Sequence, residues 1–309
     1  MHFMKYWFSF SKLAVFAIIF SLAVFVSCSK EKSQSGTDAQ EEEISKTSGE
    51  ADAEAESTYN EFFDDVMGVN NEVGVAGSGV FFGKPDSLSP VPRCFTITIT
   101  HPAGTPFPAR VVIDFGTAGC PGPDGRIRRG KIITEYTNRL TVPGAMATTT
   151  FDRFFVDAIN VDGTHKISNI SGTPIPPANI ARKYKVEVIN GKLTKPNGDF
   201  VEWNSTRTIT QIEGLITPDY PRDDVFKIEG AAHGKVKRGT LLVRWESAIT
   251  EPLIRRFTCR WIVKGRIRIV RATLPANSPW VAVLDFGPGT CDNQATITIN
   301  GITRQITLP

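Results

Sequence analysis

From residue 94 onward, apolar and polar residues alternate with a period of two. Phe95, Ile97 and Ile99 are interleaved with Thr96, Thr98 and Thr100, which predicts a strand with one wet face. After a loop over 102–108, Val111, Ile113 and Phe115 share one face of a returning strand. Strand-like runs recur at 130–136, 148–158, 164–170, 184–189, 192–195, 200–212, 225–230, 240–245 and 295–308. Turn chemistry separates them: Val161-Asp162-Gly163, Asn190-Gly191 and Asn300-Gly301 are hairpin signals. Hairpins in series build antiparallel sheet rather than βαβ units. The expected fold is therefore mainly β, an antiparallel meander of roughly a dozen to fifteen strands. So many strands exceed one strongly twisted open sheet, so a sandwich or a curled open sheet is expected. No helical pattern after residue 75 is available to cover a sheet face.

The N-terminal part reads differently. Tyr59, Phe62, Phe63, Val66 and Met67 recur at three- and four-residue spacing, with Glu61, Asp64 and Asp65 between them. This predicts one short helix near 59–69, packed on the sheet edge. Residues 29–58 are rich in Ser, Glu, Ala, Gln and Gly with almost no large apolar side chain, which predicts a flexible acidic tether. Before it, Lys5 and Lys12 accompany an apolar run, Leu13 to Val26, as in an export signal. The run ends Phe25-Val26-Ser27-Cys28, which resembles a bacterial lipobox. That resemblance implies a signal peptide over 1–27 and lipidation of Cys28; with the composition and the strand pattern, the expected order is then a tether over 28–58 and a β-rich domain over 59–309.

A unit occurs twice in that domain. Cys94 opens a strand, a second strand ends in Asp114-Phe115-Gly116, and Cys120 follows. Cys259 opens the second copy, which passes through Asp285-Phe286-Gly287 to Cys291. The related hairpins span 94–136 and 259–308. Lys237-Arg238-Gly239 echoes Arg128-Arg129-Gly130 as a further hint of duplication. With Cys28 lipidated, four of the five cysteines remain, and four allow three connectivities. The repeat selects Cys94–Cys120 and Cys259–Cys291, disulfides suited to an oxidising compartment.

Charge is unevenly placed. Residues 29–58 hold three Lys against nine Asp or Glu, and Lys5 and Lys12 precede them, so of the chain's net +3 residues 59–309 carry +7. Arg126, Arg128, Arg129, Lys237 and Arg238 are candidate contacts for an anionic glycan or lipopolysaccharide. Nucleic acid is not an expected partner of an exported protein. Asp-Phe-Gly is not a kinase signature here, because no Gly-rich phosphate loop or His-Arg-Asp loop accompanies it. Its Asp is expected to accept backbone N–H groups of the turn. Calcium at these turns, through Asp114 with Asp124 or Asp285 with Asp292, would need an oxygen-ligand ladder that the spacing lacks. His101, His165 and His233 stand apart, without zinc-site spacing. No metal, cofactor or catalytic residue is assigned. Trp203, Trp245, Trp261 and Trp280 suit sugar stacking, although strand Trp is more often core.

The lipobox-like segment, the acidic stretch, the paired cysteines, the two Asp-Phe-Gly turns and the ending Cys291-Asp292-Asn293-Gln294-Ala295-Thr296 together resemble uncharacterised outer-membrane lipoproteins of Bacteroidota. The resemblance implies outer-membrane location through a lipid anchor and supplies no activity. Asp86-Ser87-Leu88 resembles the O-glycosylation sequon of such organisms, with Ser87 as acceptor. The expected function is a non-enzymatic binding or structural module of the cell envelope, with a partner such as an anionic glycan. The alternative is a carbohydrate-active enzyme whose Asp/Glu pair comes from distant strands.

Overall fold

The structure is a computed structural model and describes residues 29–67, 94–122, 124–172, 181–217, 223–274 and 278–308, with helix side chains from Asp38 onward. Cys28 and Ser87 lie outside the described residues. Helix α1 runs Ser29–Met67. The strands are β1 Thr96–Thr100, β2 Ala109–Asp114, β3 Cys120–Pro121, β4 Ile127–Tyr136, β5 Met146–Val156, β6 Ile159–Asn169 and β7 Lys183–Thr194. They continue with β8 Phe200–Glu213, β9 Val225–Arg238, β10 Leu241–Arg256, β11 Lys264–Arg271, β12 Ala282–Pro288, β13 Gln294–Ile299 and β14 Ile302–Thr307. All belong to one antiparallel sheet in which successive strands pair, except that β2 pairs with β4 and short β3 lies off the path against β4. The expected mainly β meander is the observed class.

The chain divides into two compact units, Met1–Glu43 and Ile44–Pro309. The first contributes helical residues 29–43. In the second, the sheet curls around residues 44–67 of α1. The helix approaches β13 at Gly49, where a Cβ would lie 2.4 Å from the Ile297 side chain, and its side chains meet β8 and β10 through Asp52, β6 through Tyr59, and β4 through Glu61. The flexible tether expected over 28–58 is therefore corrected: from Ser29 it is helix, and from Ile44 it lies in the core. The short helix expected at 59–69 is the last two turns or so of this longer one, and it sits inside the sheet rather than on its edge. The composition criterion asks whether a segment can bury its own apolar surface. It does not register a segment whose carboxylates find partners in another element. Ala51, Ala53 and Ala55 are at most 4% exposed, and Ala combines high helix propensity with a small side chain.

Asp52 marks the closest approach. It is fully buried, and its Oδ1 accepts hydrogen bonds from Trp203 Nε1 at 3.0 Å, Trp245 Nε1 at 2.9 Å and Ser247 Oγ at 2.9 Å. One turn on, Glu56 Oε2 accepts from Arg207 Nε at 3.1 Å and Nη2 at 2.5 Å. Between the two tryptophans on the sheet stands Gly234, in register with both. A Cβ there would lie 2.4 Å from the Trp245 ring, so only glycine lets that ring lie flat across β9.

Curvature comes from bulges, and here two sequence expectations change. Asn190-Gly191 and Val161-Asp162-Gly163 are not hairpin turns. Both lie inside long strands, β7 and β6, at register shifts. The hairpin joining β5 to β6 turns instead at Asp157-Ala158. The Tyr59 hydroxyl donates to the Asp162 carbonyl at 2.7 Å, and a Cβ on Gly191 would lie 2.8 Å from that hydroxyl. The helix thus occupies the space where straight strands would run, and the extra residues that bend the sheet away sit on β7 at Asn190-Gly191, opposite Gly163, and on β5, opposite Asp162-Gly163. Asn300-Gly301 does make its turn, with φ of 49° and 77° between β13 and β14. Nor does Lys237-Arg238-Gly239 repeat Arg128-Arg129-Gly130: the former ends β9, and the latter lies within β4.

Replacing Asp52 by Leu leaves two indole N–H groups and one hydroxyl buried without an acceptor, each costing about 1–3 kcal/mol. Urea unfolding should show a loss of at least about 3 kcal/mol, the low end of that sum. Asp52→Asn keeps an oxygen acceptor and should lose far less. Burial raises the Asp52 pKa against the opposing pull of Arg207 and the indoles. The folded state therefore holds that proton more tightly than the unfolded chain, and ionisation costs stability as pH rises through the folded pKa. The Asn variant should lack this component.

Candidate functional site

Both disulfides join the cysteines that the repeat pairs. Cys94–Cys120 has Cα atoms 5.5 Å apart and Cys259–Cys291 has them 5.8 Å apart. Each brackets the open end of a hairpin that ends in Asp-Phe-Gly. The turns behave alike: Asp114 Oδ1 accepts from Gly116 N at 2.9 Å, and Asp285 Oδ1 from Gly287 N at 2.9 Å. Their second oxygens take a cation from a neighbouring strand, Lys131 Nζ at 2.7 Å and Arg266 Nε at 2.7 Å. Lys131 holds the Asp114 carboxyl below the usual range. Lys131 follows Gly130 and Arg266 follows Gly265, so these dipeptides are the structural counterparts. The cation comes from the strand after Asp114 but from the strand before Asp285. These carboxylates are engaged by cations and backbone, and Asp124 likewise receives both Arg128 Nη1 and Nη2 at 2.9 Å. Among the described residues no group of three His, Cys, Asp or Glu side chains could hold a metal.

The five basic residues named as candidate anionic-ligand contacts do not lie together. Arg128 is 2% exposed and is bound by Asp124 and Glu61. Arg126 meets Glu61 at 2.9 Å and Asp157 at 3.5 Å. Arg238 meets Glu50 at 2.7 Å, and Lys237 donates to the Gly198 carbonyl at 3.5 Å. Glu50 and Glu61 are eleven residues apart on α1, roughly 16 Å of axial rise, so the two clusters lie at different heights. Glu50, Glu54 and Glu61 share one half-buried stripe of the helix, and Lys195 completes it by reaching Glu54 at 3.0 Å. Arg260, from the connection after β10, also reaches Glu61 at 3.4 Å. Basic side chains of the domain thus meet the acidic segment that precedes them. Arg129 differs: with Lys131 and Arg153 it lines an outer-face cavity of about 550 Å³, where Asp114 and Asp152 balance two of the three cations.

Trp203 and Trp245 are core residues bound to Asp52, and Trp261 and Trp280 pack partly buried against the core, so none forms an open sugar platform. Just before β9, Asp224 is buried and its Oδ1 accepts from Gln211 Nε2 at 2.7 Å.

A larger groove, about 760 Å³, crosses the outer face of β7 to β11. The register aligns Glu187, Thr206, Ala231, Ala248 and Arg268 in one row across five strands. The neighbouring row is Asn204, His233 and Glu246. Small side chains in the middle make the floor, and Glu187 and Arg268 stand at opposite ends, roughly 19 Å apart by strand spacing. Asn204 is fixed because its Oδ1 accepts the Asn190 N–H at 2.8 Å. That leaves its amide nitrogen to face a ligand. Glu187 is held by Lys185 at 2.7 Å. Glu187 and Glu246 lie three strands apart, roughly 14 Å, wider than the 5–10 Å or so of a glycosidase pair. The groove can hydrogen-bond a polar ligand and meet charge of either sign. The sequence gives no local signal for it, since its row is assembled from residues between 187 and 268. Comparison with protein-family models, curated proteins and solved structures found no match to the chain.

His165 is unlike exposed His233. It is buried beside Phe62, and neither ring nitrogen has a hydrogen-bond partner among the described residues. Burial pushes its pKa down to about 4. The unfolded chain takes the proton first, so stability falls as pH drops from about 6.5 toward 4. Asp224 acts in the opposite sense, burial having pushed it up to about 6. Comparison of wild type with His165→Phe cancels that contribution. Between pH 7 and pH 5 the wild type should lose about 2 kcal/mol more than the variant in urea unfolding.

Proposed function

We propose that this protein is an exported, lipid-anchored, non-enzymatic binding module of the outer membrane, held through Cys28. Its ligand is a polar envelope glycan that lies across the outer face of β7 to β11. The observation that carries the reading is the groove itself, with its floor of Thr206, Ala231 and Ala248 between Glu187 and Arg268. Its volume falls in the range of small-molecule and oligosaccharide sites. Asn204, Thr206, His233 and Glu246 offer donors and acceptors for hydroxyls, and Arg268 offers a charge for an acidic substituent. An anionic preference would be read through Arg268, which lines one end of the groove. The two disulfides support an oxidising compartment. The wide separation of Glu187 and Glu246 favours binding over glycoside hydrolysis.

Two experiments test this. The full chain, screened on a glycan array, should retain a ligand that Thr206→Trp loses by filling the floor. Arg268→Glu should weaken an acidic ligand at least about tenfold, ~1.4 kcal/mol, with the effect shrinking as salt rises. Arg153→Glu, in the other cavity, should leave binding unchanged. No ligand, or equal loss from Arg153→Glu, contradicts the groove. For the anchor, Cys28→Ser should release the protein from the membrane fraction, and normal maturation and anchoring of that variant would contradict it.

A further inference from the structure

The sheet does not close on itself. β1 pairs with β2 alone and β14 with β13 alone, so each leaves one edge without a strand partner among the described residues. Such an edge presents alternate N–H and C=O groups that a further strand can pair. The two edges differ in how well they are guarded. β14 carries Arg304, and any two-fold pairing that centres on it sets like charges opposite each other. β1 is Thr96-Ile97-Thr98-Ile99-Thr100, with no charge and no proline. Thr96, Thr98 and Thr100 are exposed on the outer face, and Ile97 and Ile99 are partly buried against the core.

The β1 sequence reads the same in both directions. Set antiparallel to a second β1 with Thr98 on the two-fold axis, it places Ile97 opposite Ile99 and Thr96 opposite Thr100 in both halves. Residues directly opposed in an antiparallel pair point to the same side. Every apolar residue would then meet an apolar residue on the inner face, and every Thr would meet Thr on the outer face. A slip by one residue would put each Ile against Thr from the wrong face. We propose that β1 is a homotypic docking edge: two copies of this chain join through antiparallel β1–β1 pairing about Thr98, and the two sheets continue into one. The contact is isologous, as a closed two-fold dimer requires. It covers five residues per chain, so it is a weak, reversible contact that crowding of copies on one surface strengthens.

The test uses the full chain in detergent. Opposed antiparallel residues have Cα atoms about 4.5–5.5 Å apart, within disulfide reach. Under mild oxidation, Thr98→Cys should give a covalent dimer on a non-reducing gel, and Thr303→Cys on the β14 edge should not. Sedimentation velocity of the unmodified chain should show a monomer–dimer equilibrium that shifts with concentration. Thr98→Lys, which opposes two cations on the axis and alters an exposed side chain, should move it to monomer while keeping the circular dichroism spectrum and melting temperature. A strictly monomeric chain, a cross-link at Thr303 equal to that at Thr98, or a dimer indifferent to Thr98→Lys would each overturn the proposal.

Discussion

A helix bearing carboxyl groups can lie inside a β-sheet only if the sheet supplies hydrogen-bond donors or cations for them, because a buried polar or charged group left without a partner is costly. That constraint organises this molecule. Asp52, with no exposed surface, receives Trp203, Trp245 and Ser247. Glu56 receives Arg207, and Asp64 receives Arg255. At the half-buried stripe, Glu50, Glu54 and Glu61 receive Arg238, Lys195, and Arg126 with Arg128 and Arg260. Arg126 and Arg128 lie at the start of the sheet path and Arg260 follows β10, so Glu61 draws distant parts of the chain onto one carboxylate. The helix acts as the counter-charge around which the sheet folds.

Geometry follows from the same constraint. A sheet that must curl around a cylinder needs places where side chains are absent and places where strands bend. Gly234 supplies the first, beneath the Trp245 ring. The bulge at Asn190-Gly191, opposite Gly163, supplies the second, where the Tyr59 hydroxyl meets the Asp162 carbonyl. At the far end, the Tyr136 hydroxyl donates to the Val66 carbonyl at 2.9 Å and satisfies one of the orphan acceptors of the last helical turn. Small residues on the central strand have an outward consequence as well. Ala231, beside Ala232 and Gly230, leaves the outer face shallow where the groove runs.

Much of the β architecture was legible from period and turn chemistry. Alternation around Ile97, Ile99, Val111 and Ile113 located the first hairpin. The Cys…Asp-Phe-Gly…Cys repeat paired the cysteines, because duplicated hairpins carry the same local geometry. Period-two alternation and Asn-Gly pairs could not tell a turn from a bulge, however. That choice was made by Tyr59, more than a hundred residues before Asn190, and it has no local trace. The larger miss was the acidic segment. Its composition is that of a tether, and the domain's excess of basic residues suggested an external anion. The two signals describe one internal interaction, and complementary charge on two segments of a chain does not announce that they meet. The groove was illegible for a related reason: its row joins residues from five strands, and register, not sequence proximity, brings Glu187, Thr206 and Arg268 into line.

The most direct test of this account is hydrogen–deuterium exchange on the helix, read peptide by peptide in the full chain. If residues 44–67 are the core around which the sheet closes, their amides should exchange as slowly as those of β8 and β9, opening only with global unfolding. Fast exchange over 44–58 beside a protected sheet would mean that the segment is a tether after all, and would contradict the claim that its carboxylates hold the fold together.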